Sequence, residues 1–98
     1  MIDLIKRAIA DRRRLAINYP PGARIIEPHA LGYGSSGQVL LRAFQVSGAS
    51  ASGEHEWWKL FRLDRLNGAN DNGETFPGPR PEYKQNDKAM KGGIIAQL

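Results

Sequence analysis

Residues 59–66 read "KLFRLDRL": Lys59, Arg62 and Arg65 thread through Phe61, Leu63 and Leu66, with Asp64 the single acid. In an extended strand successive side chains point to opposite faces. With Phe61 and Leu63 turned to a core, Arg62 points the other way, and Trp58 and Leu60 lie on its side. The run "QVLLRAFQV" (38–46) repeats the arrangement. Val39, Leu41 and Ala43 facing inward leave Leu40, Arg42 and Phe44 facing outward. The spacing therefore predicts two guanidinium groups, Arg42 and Arg62, on one surface with aromatic rings beside them. Guanidinium forks match phosphate geometry, and a base stacked on a ring contributes about 1–3 kcal/mol. Arg24, Gln45 and Arg65 are secondary candidates for such a ligand. Tyr19, Phe44 and Trp58 are candidate stacking partners. Arg42→Ala with Arg62→Ala is then expected to weaken oligonucleotide binding and leave the melting temperature nearly unchanged.

The same residues have duller uses. Arg62 can pair with Asp64 or Glu56, since same-face neighbours on strands are close, and Arg65 can form a structural ion pair at the strand end. Lys59 falls on the Phe61 face by strict alternation, which puts it at a rim or marks a bulge. Trp57 and Trp58 cannot both point inward. The run Arg12-Arg13-Arg14 reads as a solvated helix end before it reads as a phosphate contact.

Other chemistries find little support. The 98 residues contain no cysteine, which excludes disulfides, thiolate catalysis and Cys-ligated zinc. His29 and His55 are the only histidines. In "EHE" (54–56) strand alternation sends His55 away from Glu54 and Glu56, so the three do not converge on a metal. "GYGSSG" (32–37) lacks the lysine and the strand-to-helix setting of a phosphate loop. The serines lie in glycine-rich loops without an activating partner, and no carboxylate pair supports hydrolysis. A hydrolase using His29 and a loop acid has only the presence of those residues behind it. The expectation is a non-enzymatic protein without a cofactor.

The elements that must position these groups can be read from periodicity. Residues 2–14 carry Ile2, Ile5 and Ile9 on one helical stripe. "LAINY" (15–19) switches to period two, "PPG" (20–22) turns, and "ARIIEPH" (23–29) is a second strand ended by Pro28. Strands at 38–46 and 56–63 follow, joined by a small flexible hairpin connection. Two Asn-Gly dipeptides in 67–74 predict a turn, and three prolines in 76–83 predict irregular chain. "NDKAMK" (86–91) suits one helical turn, and "GGIIAQL" (92–98) a short closing strand. The result is one mainly β (α+β) domain over 1–98. Its parts are an N-terminal helix (1–14), core strands (15–66) and a Pro/Gly-rich C-terminal segment (67–98). About five strands after a helix predict a small SH3- or Sm-like barrel.

Three pieces, "RIIEPHALGY", "GQVLLRAFQ" and "WKLFRLDRL", resemble in order and spacing the WYL domain, the ligand-binding domain of many bacterial transcription regulators. The counterparts are Tyr19 at a strand end, Arg24 with Pro28, the triplet Val39-Leu40-Leu41, and Phe61-Arg62-Leu63-Asp64-Arg65-Leu66. The resemblance covers roughly residues 4–66. Two departures stand out: the naming triplet lacks its tryptophan and tyrosine, and the expectation is a domain without the family's usual upstream DNA-binding domain or downstream extension. The resemblance implies an Sm-like barrel whose cationic groove binds single-stranded DNA or RNA or a nucleotide.

Charge points the same way. Net charge is +4, and residues 1–65 hold ten Lys/Arg against six Asp/Glu, while 66–98 balance four against four. Excess cation in the first two thirds favours anionic partners, while a net charge this small equally serves plain solubility. The expected partners are thus single-stranded nucleic acid or a nucleotide, with a homodimer or a regulatory protein converting binding into an output. The competing expectation is a protein-interaction or dimerisation adaptor on the same barrel, with no nucleic-acid ligand. No apolar run is long enough for a membrane span, and the start "MIDLIKRAIADRRR" is not a secretory signal. A cytoplasmic location is expected.

Overall fold

The computed structural model describes all 98 residues. One helix, α1 (Ile2–Asp11), precedes six antiparallel strands: β1 (Arg13–Tyr19), β2 (Gly22–Tyr33), β3 (Val39–Gly48), β4 (Trp57–Arg62), β5 (Gly68–Thr75) and β6 (Gly93–Gln97). They form one sheet in the order β4-β3-β2-β1-β5, with β6 beside β2. The molecule is thus mostly β with one helix.

The helical stripe holds at Ile5 and Ile9, whereas Ile2, in the first turn, is exposed. Ile5, Ala8 and Ile9 are buried against Leu15, Ile17, Ile26, Leu31, Leu41, Ala43 and Phe61. Burying each large apolar side chain contributes about 1.5–3 kcal/mol, so this layer accounts for much of the fold's stability. The helix ends earlier than its charge pattern suggests. Arg12 adopts a left-handed conformation (φ 53°) and caps the helix, its N–H donating to the carbonyls of Ala8 and Ile9. Arg13 and Arg14 therefore lie in β1 and not in a helical last turn.

Three other expectations fail. Pro28 does not end β2, which runs on to Tyr33. Its register against β3 shifts between Pro28 and Ala30, so the missing N–H falls at a bulge, where proline is tolerated. The long strand then pairs with β1 through residues 22–26 and with β6 through 30–33. The glycine-rich 67–74 is largely an edge strand, β5, not a turn. Its register on β1 shifts around Asn72-Gly73, where Asp71 Oδ1 accepts the Gly73 N–H and Gly73 takes φ 89°. The Asn-Gly pair makes a bulge in place of a hairpin turn. Residues 86–91 hold turns and no helix, and a 3-10 turn at Leu63–Arg65 follows β4.

The other side of the sheet is also covered. Glu27, His29, Ala30, Leu40, Arg42, Phe44 and Trp58 lie beneath the segment 76–92, which contributes Phe76, Arg80, Tyr83 and Met90. This second layer makes the Pro/Gly-rich segment an integral part of the fold. No helix is long and apolar enough to cross a membrane.

Candidate functional site

The register of β3 on β4 fixes the faces. Leu40 lies opposite Arg62, Arg42 opposite Leu60, and Phe44 opposite Trp58. Alternation therefore puts Arg42 and Arg62 on one face, as their spacing predicts, and Leu41 and Phe61 on the other. What differs is their state. Arg42 forms a two-pronged ion pair with Asp87, at 2.6 and 3.3 Å. Arg62 forms another with Asp64, at 3.1 and 2.7 Å. The two pairs are not equivalent. Arg62 and Asp64 are both more than half exposed (52% and 59%), whereas the Asp87 side chain is 11% exposed. An exposed pair contributes little and can exchange its carboxylate for a phosphate. The Arg42 pair anchors the turn at 87–90, where Asp87 Oδ1 also accepts the Ala89 N–H. The Arg42 guanidinium holds the Asp87 carboxyl below the usual carboxylate range, with burial opposing it. Arg42 thus positions the covering segment, and Arg42→Ala should cost stability, contrary to the sequence expectation.

Arg24 and Gln45 are not surface groups. Both are buried (4% and 0% exposed), and they bond to each other at 3.2 Å. Arg24 also donates to the carbonyls of Tyr19 and Pro20, and Gln45 to those of Ala49 and His55. They close the loops on either side of the strand ends. Phe44 is buried too, with the Arg80 guanidinium over its ring at 4.3 Å and Trp58 edge-on at 5.6 Å. It cannot receive a base. Tyr19 packs edge-to-face on Phe61 at 4.9 Å, and the Arg65 guanidinium, in no ion pair, lies over the Tyr19 ring at 5.6 Å. The Trp58/Trp57 question resolves with Trp57 45% exposed and Trp58 half-buried.

Trp58 is where the outer face opens. Its indole stacks on Tyr83 (6.0 Å, 24° between planes) and its Nε1–H donates to the Pro81 carbonyl at 3.3 Å. A groove of about 660 Å³ runs along it, lined by Arg42, Trp58, Glu82, Tyr83, Lys84, Gln85, Asn86, Asp87 and Lys88. Three cations against two acids leave it at +1. With Arg42 committed to Asp87, the cations free to meet a ligand are Lys84 and Lys88, which are exposed and in no ion pair. Sequence reasoning missed Tyr83, Lys84 and Lys88, because the run "EYKQNDK" has no periodicity to place it on the sheet. The available signal was an aromatic followed by two lysines, the second four residues after the first, just after Pro81.

Beneath the groove lies a polar-aromatic cluster. His29 is fully buried between Trp58, Phe76 and Tyr83. Its Nδ1 donates to the Glu27 carbonyl at 2.8 Å, which leaves Nε2 to accept the Arg80 N–H at 3.1 Å. Burial lowers its pKa and favours this neutral form. Both ring nitrogens are thus engaged within the fold. The Glu27 side chain, 1% exposed, receives Arg80 at 2.7 and 3.1 Å and Arg14 at 2.9 Å. Burial alone would raise its pKa, but hydrogen bonds from Arg80 and Arg14 outweigh that and hold it below the ordinary value. His55, in the loop before β4, lies 2.7 Å from the Gly48 carbonyl through Nδ1. No three His, Asp or Glu side chains converge on one point. No family model matches the sequence, and neither a curated protein nor a solved structure matches it.

Proposed function

We propose that this chain is a non-enzymatic, WYL-like binding module on an SH3- or Sm-like barrel, and that it takes single-stranded nucleic acid or a nucleotide in the groove beside Trp58. The strand order β4-β3-β2-β1-β5, with a 3-10 turn between β4 and β5, supports the barrel reading. The observation that carries the ligand reading is the pairing of an accessible stacked aromatic wall, Trp58 on Tyr83, with uncommitted lysines at the rim. Aromatic faces stack on any base, and lysines follow the phosphates. Arg62 adds a third phosphate contact by exchanging Asp64. In this reading the module acts in the cytoplasm, and a partner protein or a second copy converts binding into an output.

A second reading has its own support. Both outward arginines already hold carboxylates, and Trp57 and Leu60 are exposed (45% and 39%) on the edge strand β4. An unpaired strand edge with apolar side chains suits a protein partner, which is the adaptor alternative. Salt separates the two. Fluorescence polarisation with a labelled single-stranded oligonucleotide should show affinity that falls steeply between low and high salt, with log K falling by about 0.7 per phosphate contact for each unit of log salt. Binding that is absent at low salt, or indifferent to salt, would favour the adaptor.

A further inference from the structure

Five of the arginines have a carboxylate partner: Arg13, Arg14, Arg42, Arg62 and Arg80. Arg24 does not, although it is 4% exposed. Its bonds go to two carbonyls and the Gln45 side-chain oxygen, all neutral acceptors. Taking a guanidinium out of water without an opposite charge is costly, and buried charges are ordinarily paired. Burial accordingly lowers its pKa.

The lining around it adds positive charge and no carboxylate. A cavity of about 200 Å³ is lined by Tyr19, Arg24, Ser52, Lys59 and Arg65 among others, and no Asp or Glu is among the lining residues. Lys59 Nζ donates to the hydroxyls of Ser50 and Ser52, each at 3.0 Å, so it too lacks a carboxylate. Arg65 makes no hydrogen bond or ion pair. Its guanidinium and that of Arg24 lie 5.6 and 5.2 Å from the Tyr19 ring centroid. The unused donors are two N–H of Arg24, one of Lys59 and all five of Arg65.

We infer that this cavity is a second ligand site, which binds a small oxyanion of the phosphate class between Lys59, Arg65 and the edge of Arg24. Its size fits an oxyanion and not a whole nucleotide, because sites for drug-sized ligands span about 300–1,000 Å³. The site is independent of the Trp58 groove: none of the groove's lining residues line this cavity.

The test is isothermal titration of the intact chain with inorganic phosphate in buffer whose ionic strength is matched with chloride. Saturable one-to-one binding is expected. Lys59→Gln and Arg65→Gln each should weaken it about tenfold, the loss of roughly one charged hydrogen bond. Both positions lie outside the fully buried core, and unchanged thermal melts verify that the variants fold. Lys84→Gln with Lys88→Gln should leave phosphate binding unchanged. A second arm uses adenosine 5′-monophosphate and adenosine. Competition by the monophosphate alone identifies a phosphate monoester as an occupant, and its failure restricts the site to the free oxyanion. No saturable heat above the chloride control, or binding unaltered by both single variants, would overturn the inference.

Discussion

Glu27→Gln is expected to lower the unfolding free energy by about 3 kcal/mol at neutral pH, measured by urea titration. Breaking a buried ion pair costs about 3–5 kcal/mol because it strands the partner charge. The lower end applies here because Arg14 and Arg80 are 26% and 35% exposed and can recover some water. The change is a large share of the total for a domain this size, about 5–15 kcal/mol. It corresponds to a fall in melting temperature of roughly 12 °C or more. Glu27 ties β2 to β1 through Arg14 and to the covering segment through Arg80, so both sides of the joint loosen together.

The pH dependence has a definite sign. Glu27 has a lowered pKa in the folded chain, so its contribution is complete above its ordinary value of 4.5 and is lost as pH falls through the lower folded value. The gap between the parent protein and Glu27→Gln should therefore shrink in acid. His29 also has a lowered pKa, and below its ordinary value of 6.5 the unfolded chain takes up a proton that the folded chain resists. Both proteins should share that loss of stability on acidification. A difference below about 1 kcal/mol at pH 7, or one that grows in acid, would contradict the role given to Glu27.

The second large effect concerns binding. Lys84→Gln with Lys88→Gln should weaken a single-stranded oligonucleotide about tenfold at low salt. It should also make the salt dependence shallower by about 1.4 in log–log slope, the value for two lost phosphate contacts. The melting temperature should not move, because both side chains are exposed and unpaired. Arg42→Ala makes the useful contrast. It frees Asp87 and the turn beneath Lys88, so it should reduce stability and binding together. If the double lysine variant binds as tightly as the parent, the groove is not where the strand lies.

The same contrast marks how much was legible in the sequence. Alternation along 38–46 and 56–63 was enough to place Arg42 and Arg62 on one face, because side-chain direction in a strand depends on parity alone. Their carboxylate partners were not equally visible. Asp64 is two residues from Arg62 and was a named alternative, whereas Asp87 reaches Arg42 from 45 residues away along an aperiodic segment. Burial of Arg24 and Gln45 was hidden for a related reason: both are polar, and only the loops folding over the strand ends exclude water from them. The edge strand β5 was obscured because backbone pairing to β1 holds it with almost no apolar pattern. Its Asn-Gly pair is a turn signal that tertiary pairing converts to a bulge.

The most direct measurement is a two-dimensional amide spectrum of the labelled chain, recorded while a short single-stranded oligonucleotide is added at low salt. Its two indole N–H signals, from Trp57 and Trp58, report on different surfaces. The account predicts progressive shifts for the Trp58 indole and for the backbone amides of Tyr83, Lys84 and Lys88, with the Trp57 indole nearly still. Shifts confined to Trp57 and the β4 edge, or no shifts at saturating oligonucleotide, would contradict it.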